Sequence, residues 1–144
     1  MKVSRKLLLL LAVLIVVASA QQPNSNFTGT IQRLTEKPPG VIAYIHFDAG
    51  ARTKWHIHEK GQLVYVEEGV GLAQEKGGPI IELHAGEAIW CPPGVAHWHG
   101  AAPDKGGTQF NVTLGGITWL DQVTDQEYTA KTQEVKRCSD LSAF

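Results

Sequence analysis

The sequence predicts a single all-β barrel or sandwich that ends in a short helix. Runs rich in β-branched and aromatic residues recur at short intervals between residues 41 and 120. Gly or Pro stands at most of the breaks: Gly50, Gly61, Gly69, Gly77-Gly78, Gly86 and Pro92-Pro93-Gly94. Short strands with turn signals every eight to twelve residues or about that are the pattern of such a fold. With 144 residues, 43% hydrophobic and 19% charged, the composition is that of one globular domain and not of a disordered chain.

Residues 1–20 read as a signal peptide. Lys2, Arg5 and Lys6 form a basic start, residues 7–17 are uninterrupted apolar, and Ala18-Ser19-Ala20 supplies a cleavage site before Gln21. A spanning helix needs about 20 apolar residues, so cleavage is expected in preference to an uncleaved anchor. Without this segment the chain has ten basic against fourteen acidic residues. No Lys/Arg cluster remains, and nucleic-acid binding needs a basic footprint. A secreted or periplasmic protein is expected, free of the membrane after cleavage. Such a compartment permits a disulfide between the two cysteines, Cys91 and Cys138, although a buried thiol is the simpler reading of Cys91.

Residues 21–40, with Pro23, Pro38, Pro39 and Gly40, read as an irregular lead-in, and the domain is expected over 41–144. Strands are predicted at 41–47, 53–58, 62–66, 70–74, 79–83, 88–90, 108–114 and 117–120, with another starting at His97. Thr124-Asp125-Gln126-Glu127 has the form of a capping box. No Gly or Pro follows it, so a helix is predicted over about 125–137.

Chemistry concentrates in the histidines. On a strand, alternate side chains share a face, so His56 and His58 of Trp55-His56-Ile57-His58 can reach one ion. Gln62 follows a turn through Gly61, and His97 follows Pro92-Pro93-Gly94. His99 shares parity with His97 and reads as pocket wall or supporting donor in preference to a further ligand. His46 and His84 belong to no such pattern. Two sequons occur, Asn26-Phe27-Thr28 and Asn111-Val112-Thr113. The parity of Asn111 with Gln109 turns it inward, where it would be a poor glycan acceptor.

Gly50, His56-x-His58, Gln62 and Gly69 resemble the first cupin motif. Gly86 and Pro92-x-Gly94-x-x-His97 resemble the second. The resemblance implies a single jelly-roll cupin barrel with His56, His58, Gln62 and His97 as metal ligands. Gln62 stands where most cupins carry Glu. Residues 50–58, Gly61-Gln62, Gly77-Gly78-Pro79-Ile80 and residues 90–103 are similar to the manganese-dependent cupin hydroxynitrile lyases, in which Gln at this position also occurs. Phe27-Thr28-Gly29 and Val123-Thr124-Asp125 extend the likeness over nearly all of the mature chain.

Three imidazoles and an amide leave a divalent ion its full charge and make it a strong Lewis acid. An oxygen ligand with open positions suits Mn or Fe better than Zn, Ni or Cu. The resemblance further implies a small-molecule substrate and a homodimer or homotetramer. In those lyases a His on the strand after His97 is implicated as the base, and its place falls here at Gln109. Glutamine takes no proton at neutral pH, so His99 becomes the candidate base, with Gln109 expected in the pocket and Gln109→His expected to raise activity. The expected activity is a metal-dependent lyase on a small hydroxyl or carbonyl compound. The alternatives are a metal-dependent dioxygenase and a non-catalytic small-molecule or metal-binding protein.

Overall fold

A computed structural model describes residues 26–34 and 42–130, and the backbone of 132–134. The expected signal peptide and Cys138 lie outside the described residues. Twelve strands and one helical turn follow in order: β1 (Phe27–Thr28), β2 (Ile31–Arg33), β3 (Ile42–Phe47), β4 (Arg52–Thr53), β5 (His56–His58), β6 (Gln62–Glu75), β7 (Ile80–His84), β8 (Ala88–Cys91), β9 (His97–Ala101), β10 (Gly107–Thr113), β11 (Ile117–Trp119), α1 (Asp125–Tyr128) and β12 (Thr132–Glu134). The main hydrogen-bonded path runs β1-β4-β9-β6-β10-β3-β2. To it β5 adds β11, β7 adds β12, and β8 pairs with β6. Among the described residues no helix is long and apolar enough to cross a membrane.

The expected all-β barrel is present. Strand β6 joins its two sides. Residues 62–65 pair with β8 and β10, while residues 70–75 pair with β7 and β9. Two strands broken at Gly69 were expected, and the structure has one bent strand instead. Gly69 has φ +79°, and a Cβ there would collide with the Gly106 carbonyl. Opposite it, the register against β10 shifts between Thr108 and Gln109. An extra residue in one strand bends a ladder without ending it.

Three further boundaries differ from expectation. The lead-in is not wholly irregular, since β1 pairs with β4 and β2 with β3. The strand expected at 53–58 divides into β4 and β5, because Lys54 N–H donates to Asn26 and Trp55 N–H to Asp121 instead of continuing one ladder. Of the helix expected over 125–137, the described residues form one turn, and residues 135–137 lie outside them. Thr124 and Glu127 do form the reciprocal capping box, but β12 then runs parallel to β7. A single helical turn costs ordering for little hydrogen bonding, and the edge of β7 offers the following residues a ladder.

Alternation on β5 and β9 sorts aromatic from imidazole side chains. Trp98 turns away from His97 and His99 and packs with Trp55, Leu72, Ile80, Val123 and Tyr128 beneath α1. Burying a large apolar side chain of this kind contributes about 1.5–3 kcal/mol. Tyr128 OH donates to the Ala101 carbonyl at 2.7 Å, and the Arg52 guanidinium lies 4.3 Å from the Tyr128 ring centre. This anchored layer holds β9 from behind and so fixes the histidines that face inward.

Candidate metal centre and pocket

His56 and His58 lie on one face of β5, both buried. His56 is directly opposite His97 in the β5–β9 pairing. Their ring centres are 4.3 Å apart, and His58 stands 5.1 Å from His56 and 5.5 Å from His97. One nitrogen from each of the three lies within 4.8 Å of the others. Gln62 opens β6 directly after Gly61, where a Cβ would collide with the Trp90 ring.

The hydrogen bonds decide which atoms are free to bind a cation. His56 Nδ1 donates to the Lys54 carbonyl at 2.8 Å and His97 Nδ1 to the Val95 carbonyl at 3.1 Å. A carbonyl only accepts, so the proton is on Nδ1 and the lone pair on Nε2 in both rings. Gln62 Nε2 donates to Thr113 Oγ1 at 3.0 Å, which turns Oε1 to within 3.0 Å of His97 Nε2. Two acceptors thus face one another, a contact that a cation between them would relieve. His58 is buried, and neither ring nitrogen makes a well-formed hydrogen bond, although Gln62 and the Gly116 backbone lie near it. Leaving such a group unmade costs about 1–3 kcal/mol. The residues therefore fit a divalent ion held by His56, His58, His97 and Gln62.

Burial is the first cause of every pKa shift in this cluster. It pushes His97 down to about 4 and His99 to about 3, and holds His56 well below 6.5, with neighbouring histidines adding to the effect. His58 is lowered as well, against an upward pull from nearby Gln62 and Gly116. All four rings are neutral at pH 7, the state that metal binding requires. Cys91 is also buried, and as a thiol it is pushed up to about 12 by burial and by Glu75.

A cavity of about 240 Å³ opens beside the cluster. His56, His58, Gln62, His99, Asn111 and Arg33 contribute to its polar wall, and Ile45, Ile117 and Trp119 to its apolar surface. Gln109 faces inward as expected, but it is not among the described lining residues. It stands behind His99, accepting from His99 Nδ1 at 2.8 Å while its Nε2 donates to the Gly100 carbonyl at 2.8 Å. The Gly100 carbonyl fixes the amide orientation, and the amide fixes the proton of His99 on Nδ1. The lone pair is then on Nε2. Outside the cavity, His46 bonds to Thr108 and His84 lies 3.4 Å from Glu82. Thr113, which aims the Gln62 amide, was not foreseen. Its signal was the inward alternation 109, 111, 113 on β10.

The cupin domain model matches residues 43–114. The chain belongs to the cupin family. This cupin is 41% identical to the (R)-mandelonitrile lyase of Granulicella tundricola, with 77% of this chain and 92% of that protein covered. Among solved structures, a cupin-like protein of Thermotoga maritima is 36% identical with a TM-score of 0.68, covering 78% of this cupin and 93% of that chain. The polyketide cyclase RemF of Streptomyces resistomycificus shares the fold, at 22% identity and a TM-score of 0.52 over 72% of this chain and 77% of that one.

Proposed function

We propose that this cupin is a metal-dependent lyase that cleaves a small cyanohydrin to a carbonyl compound and hydrogen cyanide. The observation that carries the reading is the placement of His99 in the cavity wall beside the four-donor cluster, with its Nδ1 proton committed to Gln109. The relative named for mandelonitrile cleavage supports the choice of reaction. His56, His58, Gln62 and His97 would hold the ion, with manganese or iron favoured by the donor set. The ion, when bound, supplies Lewis acidity toward the substrate oxygen.

The protein's own groups account for the proton. His99 Nε2 takes it from the substrate hydroxyl. The oxygen–carbon bond becomes a carbonyl as the bond to the nitrile carbon breaks, and that electron pair leaves as cyanide. Imidazolium at His99 is disfavoured by burial and the neighbouring rings, which makes the ring a weak base toward the hydroxyl and a ready acid toward cyanide.

Metal analysis of the purified protein, combined with mandelonitrile turnover before and after chelation, tests the reading. One bound manganese or iron and metal-dependent release of benzaldehyde are expected. A metal-loaded protein without turnover, particularly one that consumes oxygen instead, would reject it. We also propose export to the periplasm or medium and a homo-oligomeric state. N-terminal sequencing from an exporting host should begin at Gln21, and an intact Met1 would count against export.

A further inference from the structure

Strand β10 turns three polar side chains inward in a row. Gln109 is committed to His99 and Gly100, and Thr113 to Gln62. Asn111, between them, is committed to nothing. It is 1% exposed, both its amide nitrogen and its amide oxygen are buried without a partner, and it lines the cavity. Its neighbours across the ladder are Ala43 on β3 and Val64 on β6, which offer no side-chain donor or acceptor. A buried primary amide left in this state costs about 1–3 kcal/mol. Packing alone would be served better by an apolar side chain. The same burial removes Asn111 from use as a glycan acceptor, so its sequon explains nothing.

We infer that Asn111 is a specificity-determining residue of the cavity and that the substrate carries a second polar group, a hydroxyl or carboxamide, which it recognises. The inference rests on the lyase reading of the same site and adds the substrate class. The amide presents one donor side and one acceptor side, and a hydroxyl or carboxamide answers both, whereas a nitrile or an ether only accepts. Position sets the spacing. Thr113 is opposite Gln62 in the β10–β6 register, and Asn111 is two residues further along β10, about 7 Å at the usual strand rise. That is the span from a reacting carbonyl oxygen to a substituent across one six-membered ring. Ile45, Ile117 and Trp119 supply apolar surface for the ring between.

The probes are benzaldehyde, 3-hydroxybenzaldehyde and 4-hydroxybenzaldehyde, titrated calorimetrically into manganese-loaded wild type, Asn111→Val and Asn111→Ser. Wild type should bind one hydroxylated aldehyde about ten-fold more tightly than benzaldehyde, the scale of one net hydrogen bond. Asn111→Val should lose the preference, keep its benzaldehyde affinity and melt no lower than wild type. Asn111→Ser, which retains a donor and an acceptor, should keep part of the preference and guards against a misfolded valine variant. Equal wild-type affinity for all three aldehydes would overturn the inference. So would a preference unchanged in both variants with a lowered melting temperature, the mark of an amide satisfied by structure. Binding is read without turnover. Failure of the lyase reading would instead show as mandelonitrile left uncleaved by the same wild-type preparation.

Discussion

Gln109 accepts a hydrogen bond from His99 Nδ1 at 2.8 Å, and its own orientation is dictated by the Gly100 carbonyl behind it. The backbone of β9 thereby sets, through one amide, which nitrogen of a β9 histidine is basic. Glutamine at this position brings no titratable group of its own and fixes the tautomer of His99.

The Gln109–His99 pair therefore predicts opposite results for two substitutions of similar size. Gln109→Leu removes the acceptor, frees both the rotation and the tautomer of His99, and should lower kcat toward the range lost with general-base catalysis, about 10²–10⁴-fold, with KM little changed. Gln109→Glu keeps an acceptor on Nδ1–H and should retain turnover, with the acidic limb of its pH profile displaced upward because a carboxylate favours imidazolium. Nitrogen NMR of wild type should show His99 protonated at Nδ1. A leucine variant as active as wild type would remove Gln109 from the machinery.

His58 gives a second prediction, with the sign depending on metal. Both its ring nitrogens are buried without a well-formed hydrogen bond, so without metal His58→Ala should cost less stability than an ordinary cavity-forming change. With free metal at one hundred times its Kd, binding stabilises wild type by about 2.7 kcal/mol, and the variant should lose most of that increment. Thermal melts with manganese and with chelator measure it. An undiminished metal response in His58→Ala would place the ion elsewhere.

Period-two alternation made the cluster legible in the sequence. It put His56 with His58 and His97 with His99, and the two motifs supplied Gln62. The roles of Gln109 and Thr113 depend on where an amide meets a carbonyl or hydroxyl far away in sequence, and side-chain parity gives direction without partner. Gly69 likewise announces a departure from regular strand, but only the facing Gly106 and Gly107 make it a bend in β6 and not an end. The capping box at Thr124 marked where α1 begins. Nothing local marks where it stops, because the competitor is the edge of β7.

Tyr128 tests the layer that supports β9. Its hydroxyl donates to the Ala101 carbonyl at 2.7 Å, and that bond is buried. Tyr128→Phe keeps the ring packing against Trp98 and strands the carbonyl, so it should destabilise by about 1–2 kcal/mol in urea unfolding, with metal content unchanged. A neutral effect would show that this hydrogen bond contributes nothing to holding β9.

Acid should unfold this cupin and strip its metal over the same interval. In the folded chain His97 titrates at about 4 and His99 at about 3, with His56 and His58 also lowered from 6.5. Above pH 7 these rings are neutral whether folded or unfolded, so they give stability no pH dependence there. Below about 6.5 the unfolded chain binds protons that the folded chain refuses, and stability falls as pH falls toward 4. Each histidine contributes at most about 1.4 kcal/mol per pH unit. Bound metal adds to the effect, since protons compete for the same nitrogens. Urea midpoints between pH 8 and pH 5 should be level down to about 7 and then decline, with the gap between metal-loaded and chelated samples closing. His97→Ala should shallow the decline of the chelated protein by removing one of the four rings. A chelated wild type equally stable at pH 7 and pH 5 would mean that these histidines accept protons inside the fold, and the cluster would then be a poor cradle for a cation.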